Sequence, residues 1–286
     1  MQNSLKIQKY LPYILISPAF AWLSVLVLLP LIILLYYSFC ERTLLGTILP
    51  VYNLDSYLKF FSIPYLSCFW RSFILASVTS IICLVICLPL SIYLAFYASA
   101  KYKNLLLILT TLPMWVSFLL RIYGWMSILR HNGLLDSLVK LIFHFKLISI
   151  LYSSWAILLG MVYNYIPYMI LPLYATISKI NKSYIEAALD LGANPLQILF
   201  KIILPLSKTG ILVGLIMIFM PSLGDYVTPD LMGGAKELYL GNLIQNQFLL
   251  VRDWPFGATI SIILIGFIAL ILVFFAQNKQ FTKYEI

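Results

Sequence analysis

Six stretches of this chain carry no charged side chain, and they decide what it can fold into: Tyr10–Cys40, Ser72–Ala100, Asn104–Leu120, Leu147–Ser178, Thr209–Gly224 and Trp254–Asn278. A hydrocarbon core about 30 Å thick needs about 20 residues of helix to cross it. Four of the six reach that length unaided. Asn104–Leu120 reaches it only by running past Arg121 through Ile122–Leu129, which obliges the arginine to snorkel or to face protein. Thr209–Gly224 reaches it by starting within Ile202–Leu206. The expectation is an all-α integral membrane protein with six transmembrane helices. Composition agrees, since 62% of the residues are hydrophobic and 10% charged, against about 45–50% and about 25% in a soluble domain. A soluble fold of this length has too little interior for so much apolar side chain.

The start of the chain imitates a cleavable signal: Lys6 and Lys9, the apolar Leu11–Ser17, then Ala19-Phe20-Ala21. The apolar run continues through Leu31–Tyr37, so a retained first span is expected. An even number of spans leaves both termini on one side. The segments there (1–9, 101–103, 179–208 and 279–286) carry Lys6, Lys9, Lys101, Lys103, Lys179, Lys182, Lys201, Lys208, Lys279 and Lys283, ten of the nineteen basic residues. That density assigns both termini to the cytoplasm. The net charge of +9 is dispersed between apolar runs, the pattern of charges holding helix ends at a lipid surface rather than gripping nucleic acid.

No catalytic or metal-ligating constellation is present. His131 and His144 stand without an HExxH or a paired carboxylate. Asp136, Lys140 and His144 recur every four residues in Leu134–Phe145, the mark of an amphipathic helix on the outer surface. Cys83 and Cys87 lie one turn apart in an apolar run and are packing residues. Cys40 and Cys68 fall at the outer ends of the first two spans, where a disulfide and two isolated buried thiols are both open.

The connection 179–208 has the most complete local chemistry. Ser183 and Glu186 have the spacing of a capping box, Ala187 and Ala188 favour helix, and Gly192 can end it in the left-handed region. Asn194 can cap a second helix that opens on Pro195, and Pro205 interrupts the chain before the next span. A helix, a tight turn and a second helix make a rigid knob outside the membrane.

Glu186-Ala187-Ala188, Gly192, Ile202, Leu204 and Pro205 match, position by position, the EAA loop of bacterial ABC importer permeases: E-A-A, three residues, G, nine residues, I-x-L-P. The chain therefore resembles that family over residues 66–276, with 1–65 as an N-terminal tail, first span and outer loop, and 277–286 as a cytoplasmic tail. The resemblance implies the type I (MetI-like) importer permease fold in a bacterial inner membrane. It also implies that Ser183, Glu186, Ala187, Ala188, Gly192 and Pro205 belong to a coupling loop seated on an ATPase. The implied assembly holds a second permease, two ATPase copies and a periplasmic substrate-binding protein, with ATP and Mg used by the ATPase and no cofactor on this chain. No G-x-x-x-x-G-K-[ST] occurs that could bind nucleotide here.

Further motifs resemble the B-type permeases of spermidine/putrescine importers: Arg121 with Ile122-Tyr-Gly-Trp125, Asp230-Leu-Met-Gly-Gly-Ala-Lys236, Gly241-Asn242 and Arg252-Asp-Trp-Pro-Phe-Gly257. Permeases for iron, sulfate or phosphonates share parts of these and stay as alternatives. A stand-alone secondary transporter would call for intramembrane charges for ion coupling, and the spans here are nearly free of them. A polyamine path needs carboxylates and aromatic faces. The candidates are Asp225, Tyr226 and Asp230 beyond the fifth span, with Arg121, Tyr123, Trp125, Tyr163 and Tyr165.

Overall fold

The computed structural model describes residues 2–43, 46–143, 150–234 and 237–277. In chain order, α1 (Gln2–Ser38) leads into a two-stranded antiparallel hairpin, β1 (Glu41–Arg42) and β2 (Ile48–Leu49), and a short α2 (Asp55–Phe60). There follow α3 (Ile63–Ile92), α4 (Ala100–Thr111), α5 (Phe118–Leu129), α6 (Leu134–Phe143) and α7 (Ser154–Ile177). After them come α8 (Lys182–Asp190), α9 (Pro195–Ile198), α10 (Leu204–Leu206), α11 (Lys208–Gly224), α12 (Val227–Gly233), α13 (Leu240–Leu249) and α14 (Trp254–Gln277).

Four stretches are continuous, apolar and long enough to cross a membrane: Ile16–Ser38, Ile63–Tyr97, Ser154–Ile177 and Trp254–Phe275. Two bent pairs bring the spans to six when each pair is counted as one span. The first pair, Lys101–Trp115 with Phe118–Ser137, turns through 92°, where a straight passage through Arg121 was expected. Pro113 supplies no amide, a 3₁₀ turn over Leu112–Trp115 tightens the chain, and Val116 and Ser117 are extended, so the helical ladder stops there. The second, Pro195–Leu206 with Lys208–Gly224, turns through 72° at Ser207. Its hydroxyl donates to the Ile203 carbonyl at 2.6 Å. A π-helical turn over Leu199–Ile203 precedes Pro205, which adjusts the carbonyls that a proline ring would otherwise strike.

The chain forms two compact units. The first joins Met1–Tyr65 to Ile244–Leu272. Within it the end of α1 is tied to α14 and α2: Thr259 donates to the Ser38 carbonyl at 3.1 Å, and the Ser38 hydroxyl bonds the Tyr57 phenol at 2.8 Å. Asp253 accepts the Phe256 amide at 3.2 Å at the start of α14 and pairs with Lys59 at 3.1 Å. The Lys59 ammonium also sits 4.0 Å from the centre of the Phe256 ring. These contacts account for the Arg252–Gly257 motif, in which Gly257 faces the Phe248 ring closely enough that a Cβ would meet it at 3.0 Å.

The second unit, Leu66–Leu243 with Val273–Ile286, is built on α7, whose buried residues include Ile157, Met161, Asn164, Met169, Ile170 and Leu173. Helix α11 reaches it through Gly210 and Gly214. A Cβ on Gly210 would lie 2.6 Å from the Pro172 carbonyl oxygen, and one on Gly214 2.5 Å from the Met169 sulfur. Helix α12 meets it where a Cβ on Gly160 would lie 2.5 Å from the Met232 sulfur. Helix α3 lies along it with the Cys83 and Cys87 thiols directed at the Val162 and Ile166 carbonyls, at 3.7 and 3.6 Å. Cys40 and Cys68 are likewise buried free thiols, not a disulfide.

Helix α6 departs from the expected polar stripe. Asp136 is buried, accepting the Asn132 amide at 3.1 Å and pairing with Lys140 at 3.0 Å and with His131 at 4.0 Å. It fastens the turn before the helix instead of facing water. His144, the last member of that stripe, lies outside the described residues.

The glycine seams generate a stability prediction. Gly210→Val places a branched side chain against the Pro172 carbonyl and Thr176 and is expected to cost about 2–3 kcal/mol by overpacking. Gly224→Ala meets nothing within 4 Å and should unfold like the parent. Thermal unfolding of the two purified variants in detergent checks this, and equal midpoints would contradict the seam.

Candidate functional site

Two groups of residues concentrate chemistry, both within the second unit. The first is the helical knob after α7. Helix α8 starts at Lys182, one residue earlier than a Ser183 cap requires, and its N-cap is Asn181, whose side chain accepts the Ser183 amide at 3.1 Å. Ser183 therefore sits inside the first turn and the expected Ser183–Glu186 capping box does not form; Glu186 is exposed. The far end follows the expectation closely. Gly192 has φ +78°, its amide bonds the Leu189 carbonyl at 2.9 Å, and the Ala193 amide bonds the Ala188 carbonyl at 2.9 Å, the two bonds of a Schellman cap. Asn194 then caps α9, accepting the Gln197 amide at 2.8 Å while Gln197 accepts the Asn194 amide at 3.0 Å. This reciprocal box is the one the segment uses.

The knob has two unlike faces. Ile185, Ala188, Ala193 and Ile198 pack against the hydrophobic core of the unit. Opposite them Leu191 is 88% exposed and Leu196 65%, beside the exposed Tyr184, Leu189 and Phe200. Ala187 and Pro205 are also exposed. The double-capped element thus carries exposed apolar side chains on its outer side.

The second group gathers where α5, α7 and α12 meet. Asp225 follows α11 and is buried. One of its carboxylate oxygens accepts the Val227 and Thr228 amides at 3.0 and 3.1 Å, and the other accepts the Thr228 hydroxyl at 2.6 Å. The Tyr165 phenol on α7 lies within electrostatic reach of this carboxylate. Arg121 faces protein, with its guanidinium 3.5 Å from the Asn164 carbonyl, 5.7 Å from the Phe118 ring centre and within electrostatic reach of Tyr165. Arg121, Tyr165 and Asp225 thus form one polar group where these helices meet.

The remaining candidates are placed differently. Trp125 and Tyr163 pack edge to face at 5.4 Å and join α5 to α7. Tyr123 is exposed on α5, and Tyr226 and Asp230 are exposed at the start of α12. The Tyr226 carbonyl is held by the Asn242 amide group at 2.9 Å. Gly241 packs so tightly on this corner that a Cβ there would lie 2.6 Å from the Gly224 carbonyl oxygen, which accounts for the Gly241-Asn242 motif. In the Asp230–Lys236 motif, Ala235 and Lys236 lie outside the described residues.

Sequence inspection passed over Asn164 and Thr228. Asn164 is 1% exposed, and neither its amide nitrogen nor its oxygen has a hydrogen-bond partner among the described residues, nor has the Arg121 Nε. A lone amide in the middle of the apolar run Leu147–Ser178 was a legible signal, because polar groups at membrane depth are costly.

Apolar membrane spans, glycine seams within the second unit and a capped helical knob at the end of one span define the class. The chain belongs to the family of binding-protein-dependent transport system inner membrane components, whose family model matches residues 87–283. It is thus a multi-pass transport component of the inner membrane rather than an enzyme in itself. It is 37% identical over 272 residues to the spermidine/putrescine transport system permease protein PotB of Haemophilus influenzae, covering 94% of this chain and 95% of that one. It is 36% identical over 264 residues to PotB of Escherichia coli, covering 92% and 96%. A bacterial alginate ABC transporter, in complex with its alginate pentasaccharide-bound periplasmic protein, shares the fold over the full length of both chains, with a TM-score of 0.78 at 16% identity.

This group separates an anchoring carboxylate from an accessible one. Asp225→Ala strips the acceptors from two amides and one hydroxyl and is expected to cost about 3 kcal/mol, because buried donors left without an acceptor are costly. Asp230→Asn, at an exposed position, should leave the unfolding midpoint in place. Differential scanning fluorimetry of both variants in detergent distinguishes the two roles.

Proposed function

We propose that this chain forms half of the transmembrane pathway of an ATP-driven polyamine importer, and that the 179–208 knob receives the motion of an ATPase. The observation that carries the second part is the two-faced knob: a core-packed inner surface and an apolar outer surface around Leu191 and Leu196. A loop whose first helix is capped by Asn181 and closed at Gly192, and whose second is held by the Asn194–Gln197 box, moves as a body, so displacement at its outer face reaches the 72° bend at Ser207 and then α11. The polyamine part rests on the relatives that carry spermidine and putrescine in their names and on the clustered carboxylates and aromatics.

In this assignment the chain works with a second permease, two ATPase copies that hold ATP and Mg, and a periplasmic binding protein. The knob and both termini lie in the cytoplasm, on the side where the lysines concentrate. The polycation meets Asp230, Tyr226 and Tyr123, whose carboxylate and rings are accessible, while Asp225, Tyr165 and Arg121 hold the α11–α12 corner in shape. A spaced chain of ammonium groups exchanges bulk water for a carboxylate and π faces at such a place.

Two measurements on the assembled, reconstituted transporter test this. Glu186→Lys reverses a charge on an exposed face, and Gly192→Val places a β-branched residue at φ +78° with nothing within 4 Å to clash. Both should insert and assemble, yet lose about tenfold or more of the ATP hydrolysis stimulated by loaded binding protein, within the range of coupling free energies between sites. Full stimulation in both would remove the docking role. Asp230→Asn should slow spermidine uptake about fivefold or more with assembly unchanged; unaltered uptake across substrate concentrations would take Asp230 out of the path.

A further inference from the structure

A groove of about 280 Å³ opens in the second unit between α3 and the first turn of α7, beside the segment that leads into α13. Its lower wall is apolar: Ile74 and Val78 on α3 face Leu158 on α7. Its rim is polar and carries both signs of charge, Arg71 on α3 and Glu237 on the segment, with Tyr239 beside them. The Tyr239 phenol donates to the Glu237 carboxylate at 2.9 Å. Burial and that carboxylate push the phenol up to about 12, so it stays protonated, and the Arg71 guanidinium acts on the same phenol. Yet no ion pair joins Arg71 to Glu237 among the described residues.

The rim is fixed in place. The Ser72 hydroxyl accepts the Leu240 amide at 2.7 Å, and the Cys68 thiol bonds the Leu238 carbonyl at 3.2 Å. These two contacts hold the segment carrying Glu237 and Tyr239 against α3 one turn from Arg71. Down the helix, Arg71 to Val78 spans about 10 Å. Trp155, 75% exposed, stands at the start of the α7 span, the level at which aromatic rings mark the boundary between headgroups and hydrocarbon.

Two opposite charges that do not neutralise each other, set above an apolar wall of that depth, complement a particular ligand. We propose that this groove binds one zwitterionic phospholipid whose phosphate is linked to a primary ammonium. Arg71 takes the phosphate, Glu237 the ammonium, and one acyl chain runs along Ile74, Val78 and Leu158. A guanidinium suits phosphate, and a carboxylate can accept hydrogen bonds from a primary ammonium, which a quaternary one cannot supply. A polyamine fits poorly here, because Arg71 opposes it and the apolar wall offers it nothing. The site is thus separate from the transport path assigned above, and neither depends on the other.

Native mass spectrometry of the intact transporter, delipidated and then incubated with phosphatidylethanolamine, phosphatidylcholine or phosphatidylglycerol, tests this. Phosphatidylethanolamine should be retained preferentially. Arg71→Glu and Glu237→Lys should each lower its retention about fivefold, the worth of one charge near a lipid surface, whereas Arg71→Lys should keep most of it. A phosphatidylethanolamine with a photoreactive acyl chain should label peptides containing Ile74, Val78 or Leu158. Equal retention of all three lipids, insensitivity to both charge reversals, or labelling only elsewhere would overturn the proposal. So would a photocrosslinker at residue 74 that captures a partner subunit in the intact complex, since the groove would then be a protein interface.

Discussion

The approach of α11 to α7 at Gly210 and Gly214, and of α12 to the same helix at Gly160, is the contact on which the rest of the second unit depends. In lipid there is no hydrophobic driving force between helices, because acyl tails are as apolar as leucine. Association then rests on backbones coming close enough for dispersion and weak polar contacts to accumulate. Glycines supply that closeness on one side, and Met169, Pro172 and Met232 fill the other. With α7 seated against α3, α5, α11 and α12, its polar residues Asn164 and Tyr165 are enclosed by protein rather than by hydrocarbon.

Enclosure of that kind is also what allows two spans to break. Backbone that leaves the helical ladder at membrane depth must find its partners within protein. At Ser207 the side chain supplies one by bonding the Ile203 carbonyl, and the π-helical turn before Pro205 absorbs the proline. At Val116 and Ser117 the chain turns after Pro113 and sends α5 back toward α7, where the Trp125–Tyr163 ring pair receives it. Each bend lies next to a functional assignment: Ser207 beneath the knob, and the turn before α5 beneath Arg121.

Charge follows the same logic. The buried carboxylates of the described chain each do local structural work: Asp136 holds a turn, Asp253 caps α14 beside Lys59, and Asp225 binds three donors in the first turn of α12. The accessible carboxylates, Glu186, Asp230 and Glu237, are the ones to which an intermolecular role can be assigned. Burial separates the two sets, and the sequence pattern alone did not. Asp225 drew attention by following an apolar run, but its oxygens face inward to the amides and hydroxyl that need them.

Much was legible without coordinates because the bilayer imposes a length and a polarity on every crossing segment, so six spans follow from charge-free runs, as does a capped knob from Gly192, Asn194 and Pro195. Local rules become ambiguous where several residues can do the same job. Asn181 and Ser183 can both cap α8, and the winner is set by where the chain leaves α7, which is a tertiary matter. A span carried on past Arg121 satisfied the length rule equally well, and the break after Pro113 together with the packing of α5 on α7 gave the 92° turn. Pairings between distant positions (Arg121 with Asn164, Lys59 with Asp253, Leu240 with Ser72) leave no periodic trace along the chain. The sequence by itself determined that this protein lies in a membrane, roughly where it crosses and which loop is rigid, since those follow from local solvation and backbone geometry. The tertiary structure decided which polar groups meet, since that depends on how closely the glycine seams bring separate helices together.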